Sequence, residues 1–147
     1  MEPTIFDGLT LPPISRLLGW KLLVMDKEAG RIDVEFTALA DFTNPSGFIQ
    51  GGIVAAMLDD TLGPLVFAAT GGTKMTTTID LHLHYLRPVR PGRVTTQGKI
   101  AKRGPRIAFL AGELFDSEGR LAATATASAL LAAYERSRVN PRQPSRR

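Results

Sequence analysis

NPSGFIQGGIVAAMLDDTLGPLVFAA, residues Asn44–Ala69, decides how this chain folds. From Ile53 onward, apolar residues occupy nearly the whole helical circumference. A helix that is apolar on all sides belongs in a core. Asn44-Pro45-Ser46-Gly47 ahead of it is turn chemistry, and Gly71-Gly72 breaks the chain after it. Pro64 has no N–H to reach the carbonyl of Asp60, so a kink or loosening is expected in the last part. Two carboxylates, Asp59 and Asp60, interrupt the apolar run. An ionised carboxylate in a dry core is costly unless it is paired. Helical neighbours point about 100° apart, so these two cannot serve one site. One of them is expected at a polar cleft or subunit boundary, as a base or nucleophile. The plainer reading is a solvent-facing arc or a salt bridge, and the residues alone leave the two aspartates tied.

Working outward, short strand patterns flank the helix. Ile14–Leu18 reads as a short helix ending at Gly19, and Trp20–Met25 as a strand. Arg31–Thr37 alternates Ile32, Val34 and Phe36 with Asp33 and Glu35, the period of a half-buried strand. After the long helix, Thr76–Leu86 sets Ile79, Leu81, Leu83 and Tyr85 on one face, and Thr78, Asp80, His82 and His84 on the other. Arg93–Lys102, Arg106–Phe115 and Arg120–Leu131 are three more strands, separated by turns at Arg103-Gly104-Pro105 and Asp116–Gly119. The order is helix, two strands, a long buried helix, then four strands. That predicts an α+β fold, one antiparallel sheet of about six strands wrapped around one helix. The helix covers one sheet face only, so the other face and the edges invite oligomerisation.

The 147 residues suit one domain, read here as residues 1–134 followed by a basic, flexible tail at residues 135–147. Net charge is +4. Five arginines against one acid fill the tail, leaving 13 bases and 13 acids in the body. The basic balance is thus a tail property. Such a tail suits an anionic ligand, nucleic acid or a membrane surface, but the plainer reading is a solvated end, so no nucleic-acid partner is expected. With no cysteine, neither disulfides nor thiolate metal sites are expected, which fits a cytoplasmic protein. No signal peptide is evident at the N-terminus. No run reaches the roughly 18 unbroken apolar residues of a membrane span, so no membrane partner is expected.

Several chemistries lack their motifs. There is no GxxxxGK[ST] phosphate loop, no G-x-S-x-G and no H-E-x-x-H. His82 and His84 share a strand face, but no third ligand follows by spacing, so no metal is expected. Gln50-Gly51-Gly52 at the helix start offers free N–H groups and the positive dipole end, able to polarise a carbonyl oxygen. Lys102-Arg103-Gly104-Pro105-Arg106 concentrates three cations on one turn, either solvated or poised for phosphates.

The run Asn44–Thr61, then TTTIDLHLHYLRPV and KRGPR, resembles the hotdog-fold thioesterases of the phenylacetic-acid-degradation type, over about Ile14–Leu131. That family carries an Asn or Gln six residues before a His-Gly-Gly, and an acid nine after the His. Here the His position is Gln50, with Asn44 six earlier and Asp59 nine later. The resemblance implies hydrolysis of an acyl-coenzyme A thioester, with coenzyme A as part of the substrate and no separate cofactor. It implies Asp59 as nucleophile or general base, the Gly51 N–H on the carbonyl oxygen, and Asn44 positioning water or thioester. Gln50, Gly52 and Asp60 are secondary candidates. It implies that Lys102, Arg103, Gly104 and Arg106 hold coenzyme A phosphates, and a homodimer or homotetramer with the site between subunits. Phe48, Met57, Leu62 and Leu86 are expected to line the acyl pocket. Gln50 departs from the family's His and cannot titrate. A non-catalytic acyl-CoA-binding module is the alternative.

Overall fold

A computed structural model describes residues 2–134; the tail expected to be flexible lies outside them. The chain runs α1 (Pro13–Leu18), β1 (Lys21–Asp26), β2 (Arg31–Ala38), a 3-10 turn (Ala40–Phe42), α2 (Gly51–Ala69), β3 (Lys74–Tyr85), β4 (Gly92–Arg103), β5 (Ile107–Phe115) and β6 (Leu121–Ala133). The six strands form one antiparallel sheet in the order β1-β2-β4-β5-β6-β3. The sheet carries α2 against β2, β4, β5 and β3. The expected architecture, element order and long central helix are all present.

Small residues let the helix sit close. Gly98 of β4 pairs with Gly112 of β5. A Cβ on Gly98 would stand 3.0 Å from Ile32 and 3.2 Å from both Leu62 and Thr61; one on Gly112 would stand 3.2 Å from Leu58. Two glycines side by side therefore make a trough in the sheet, and the middle of α2 fills it. Alanines 122, 123, 125, 127 and 129 of β6 keep the next strand equally low. Leu58, Leu65, Phe36, Val34 and Ile32 are fully buried around the trough. The buried Thr61 hydroxyl bonds the Met57 carbonyl at 2.7 Å and shares a hydrogen bond with Thr96 Oγ1 at 2.6 Å, so its burial leaves nothing unmet.

Pro64 lies within α2, which runs on to Ala69. The Asp60 carbonyl that Pro64 orphans accepts the indole N–H of Trp20 at 2.9 Å. The helix is not encased on all sides: the one sheet covers one side, leaving Gly52 and Asp59 exposed and Ala56, Gly63 and Phe67 half-buried. Finally, a bulge at Ile79 offsets the alternation of β3. An inserted residue flips every side chain beyond it. Thr78 therefore shares the helix side with Leu81 and Leu83, whereas the plain two-residue period puts it opposite them.

Candidate active site

The loop entering α2 is built on Asn44. Its Oδ1 accepts the N–H groups of Ser46 (3.0 Å) and Phe48 (3.2 Å), and its main-chain N–H donates to Phe48 O at 2.7 Å. Gly47 closes this turn at φ +80°, where a side chain would be strained. The Asn44 Nδ2 is left as a donor without a partner among the described residues. Thr43 bridges Ile49, whose N–H bonds the Val89 carbonyl at 2.8 Å, so the loop is tied to the body of the protein.

Gln50 then caps the helix through its backbone alone. Its side chain makes no capping bond, and its carbonyl accepts from Ile53 (2.9 Å) and Val54 (3.3 Å). First-turn N–H groups have no intrahelical acceptor. Those of Gly51 and Gly52 have no acceptor elsewhere among the described residues, so two donors stand at the positive end of a 19-residue helix. Tyr85 fixes the position of this end, donating its hydroxyl to the Gly51 carbonyl at 2.7 Å. A Cβ on Gly51 would meet that ring at 3.3 Å, whereas Gly52 faces open space. The arrangement suits an oxygen that gains negative charge.

Two turns along, the aspartates diverge as helical geometry demands. Asp59 is exposed, and its Oδ1 accepts the Thr78 hydroxyl at 2.8 Å. Asp60 turns toward α1, where its Oδ1 accepts the Ser15 hydroxyl at 3.0 Å while its Oδ2 is buried without a partner. Burial pushes the Asp60 carboxyl up to about 6; the Ser15 bond opposes this and the Asp59 charge adds to it. Asp59 is thus the carboxylate available to a ligand, held by a strand residue that sequence reading set on the far face. Spotting the bulge is what could have found Thr78. Eight residues separate Gly51 from Asp59, about 12 Å along the axis. One protomer does not bring its own Asp59 and Gly51 against the same atom.

The remaining candidates scatter. Met57 (1% exposed) and Leu62 (2%) are taken up by core packing under the sheet. Phe48 is half-buried with the Arg90 guanidinium 5.2 Å from its ring centre, and Leu86 is exposed just past β3. These four do not form one lining. A second bulge, at Ala101, splits the cations. Lys102 pairs with Phe109 on the outer face, and Arg103 with buried Ala108 on the helix side. Arg103 and Gly104 line a depression there with Lys27 and Lys74, which sequence reading missed, while Lys102 and Arg106 do not. His82 and His84 stack edge to face, 4.8 Å apart, on the exposed outer face.

Residues 46–123, which include the Gly51–Gly52 helix start, Asp59 and Thr78, match the sequence profile of the thioesterase superfamily. The chain belongs to that superfamily. It is 28% identical over 130 residues to the medium/long-chain acyl-CoA thioesterase YigI of Escherichia coli K12, covering 79% of this chain and 83% of that protein. A solved phenylacetic-acid-degradation-related protein from Ralstonia eutropha JMP134 is 34% identical, with a TM-score of 0.80 over 84% of this chain and 93% of that one. The PaaI protein of the Escherichia coli phenylacetic acid operon, 18% identical, shares the fold at a TM-score of 0.70, covering 80% and 83% of the two chains. The architecture of this thioesterase-superfamily chain is therefore the hotdog arrangement, one sheet around one long helix.

Proposed function

We propose that this protein hydrolyses acyl-CoA thioesters, with Asp59 of one subunit and the Gly51 N–H and Asn44 amide of a second subunit converging on the thioester. The observation that carries this reading is the pair of half-sites on one helix. An exposed, hydrogen-bonded carboxylate and an unfilled N–H pair lie about 12 Å apart, each lacking what the other supplies. A two-fold partner supplies both. The named activity of YigI supports the coenzyme A ester as substrate. Exposed Met75, Ile79 and Tyr85 of β3, an edge strand of 12 residues, with exposed Leu86 just past it, support pairing of two copies through that edge.

In this reading the Gly51 N–H, backed by the helix dipole, binds the thioester oxygen as negative charge builds on it. Asp59, with Oδ1 held by Thr78, acts as nucleophile or as the base that takes a proton from water. Over the cycle the water oxygen joins the acyl carbon, the C–S bond breaks, and the thiolate of coenzyme A leaves and takes up a proton. The Asn44 Nδ2 is a donor for the thioester or the water. Gln50 donates and accepts hydrogen bonds without titrating, so no proton passes through it.

Thiol release from an acyl-CoA panel tests the reading. Turnover by the wild type that is lost in Asp59→Asn, with dichroism and oligomeric state unchanged, supports it. Full turnover by Asp59→Asn sinks the role of Asp59. Tight acyl-CoA binding with no thiol released by the wild type leaves an acyl-CoA-binding module instead.

A further inference from the structure

The edge strand β3 presents His82 and His84 side by side on the outer face of the sheet, away from α2. Their rings meet edge to face with centres 4.8 Å apart. We propose that His82 and His84 of two copies of this chain, meeting across a two-fold axis, bind one divalent metal ion of the zinc class; this rests on the two-fold of the hydrolysis reading above.

Two hydrogen bonds locate that axis. Thr78 holds Asp59 and Tyr85 holds the Gly51 carbonyl, so β3 is tied to both half-sites. A two-fold that brings Asp59 to the partner subunit's Gly51 sets Thr78 level with the partner subunit's Tyr85. It therefore crosses β3 midway between Thr78 and Tyr85. Within the sheet, Thr78 stands opposite Ala129 and Tyr85 opposite Ala123. Midway between those two is Thr126, and Thr126 stands opposite His82. The bulge at Ile79 comes before Asp80, so alternation is regular from Asp80 to Tyr85, and Asp80, His82 and His84 share the outer face. Residues directly opposite in an antiparallel pair share a face, with Cβ atoms about 5 Å apart. His82 thus meets the partner subunit's His82 at the axis, and His84 meets the partner subunit's Asp80.

The chemistry of this cluster suits a metal. Among the described residues of one chain, no third histidine, cysteine or carboxylate is placed to join the pair on an ion. A closed zinc site takes four ligands, and the two-fold supplies the other two. Two imidazoles on one tetrahedral ion have ring centres about 5 Å apart, which is the spacing of His82 and His84. Asp80 stands beside them. Its Oδ1 accepts the Ser128 hydroxyl and the Ser128 N–H (2.9 Å), which leaves Oδ2. Those two bonds hold its carboxyl below the usual carboxylate range. An imidazole that ligates through one nitrogen donates its other N–H, commonly to a carboxylate, and the Asp80 opposite each His84 is placed to accept it. Two such carboxylates also balance the double charge of the ion. The β6 neighbours, Thr124, Thr126 and Ser128, bring no cation against it. An ion held here clasps two edge strands on the outer face, while the thioester chemistry stays on the helix side.

Calorimetric titration of zinc into untagged, chelator-stripped protein tests this. The expected result is one zinc per two chains, with a higher thermal midpoint when zinc is present. His82→Gln and His84→Gln are each expected to weaken binding about a hundredfold and to lose the thermal gain, and Asp80→Asn to weaken binding about tenfold. No binding by wild type, one zinc per chain, or equal binding by wild type and His82→Gln overturns the site. Sedimentation and thiol release on the zinc-free protein judge the hydrolysis reading separately. A zinc-free dimer that hydrolyses acyl-CoA and takes up no zinc removes this inference alone. One zinc per two chains, lost in His82→Gln, upholds it even if no acyl-CoA is hydrolysed.

Discussion

Thr78 on β3 donates its hydroxyl to Asp59 Oδ1 at 2.8 Å, tying the candidate catalytic carboxylate to an edge strand. The bond leaves Oδ2 for the reaction and fixes the direction in which it points. Replacing Thr78 with Val keeps the shape and removes the donor. With Asp59 as nucleophile or base, kcat is expected to fall about tenfold to a hundredfold, while KM moves little, because substrate binding does not run through this hydroxyl. Thr78→Ser is expected to recover most of the rate. Steady-state kinetics on the two variants decide it. Equal losses in both point to packing at the strand, not to the hydroxyl.

Asn44 combines two tasks that substitution separates. Its Oδ1 organises the loop by accepting from Ser46 and Phe48, while Nδ2 is a donor without a partner among the described residues. Asn44→Asp keeps the acceptor and removes the donor. Its thermal midpoint is expected to stay within a few degrees of wild type while kcat/KM drops by about a hundredfold. Asn44→Ala loses both tasks, and its midpoint falls as well, each lost bond being worth about 1 kcal/mol. Calorimetric melting beside kinetics checks the split; a wild-type rate in Asn44→Asp removes the donor role.

How much of this was legible follows from what each feature depends on. The long helix, all six strands and their order follow from apolar periodicity and turn residues, which act locally. The divergence of Asp59 and Asp60 follows from helical pitch. The bulges at Ile79 and Ala101 were not legible, because an inserted strand residue is set by the pairing partner across the sheet and leaves no local signature. The first sets Thr78 on the helix side, where the plain alternation puts it on the far face, and the second sets Lys102 and Arg103 on opposite faces of the sheet. Lys27 and Lys74 were invisible for a related reason, since only the fold brings residues 27, 74 and 103 together. The trough at Gly98 and Gly112 was likewise hidden until β4 and β5 were paired.

Asp60 makes stability depend on pH. Its carboxyl titrates near 6 in the folded protein against 3.8 when unfolded, chiefly because burial disfavours the charge. The folded state holds this proton more tightly, so the stabilisation is full below pH 3.8 and is lost as pH rises through about 6. Asp60→Asn removes the ionisation. Denaturant titrations across this range are expected to show a flatter pH profile for the variant, and a gain of about 1 kcal/mol at pH 7 after solvent screening is allowed for. Hydrolysis is expected to survive, as Asp60 faces Ser15 and not the ligand side. An unchanged slope in the variant assigns the pH dependence to another group.

Trp20 and Pro64 form a coupled pair although they do not bond each other. Pro64 has no N–H, so the Asp60 carbonyl one turn earlier lacks its helical donor, and the Trp20 indole N–H fills that place at 2.9 Å. Trp20 is also buried, with Phe6 packed edge to face at 5.3 Å, so its replacement needs a control for lost area. Trp20→Phe in the wild-type background leaves the carbonyl unpaired as well as shrinking the ring. In a Pro64→Ala background the helix supplies its own N–H, and only the shrinkage remains. Trp20→Phe is therefore expected to cost about 1 kcal/mol less in the Pro64→Ala protein than in wild type. Urea unfolding of the four proteins in this cycle measures the coupling. Additive effects would mean that the indole contributes packing alone, and that the carbonyl freed by Pro64 is satisfied by solvent.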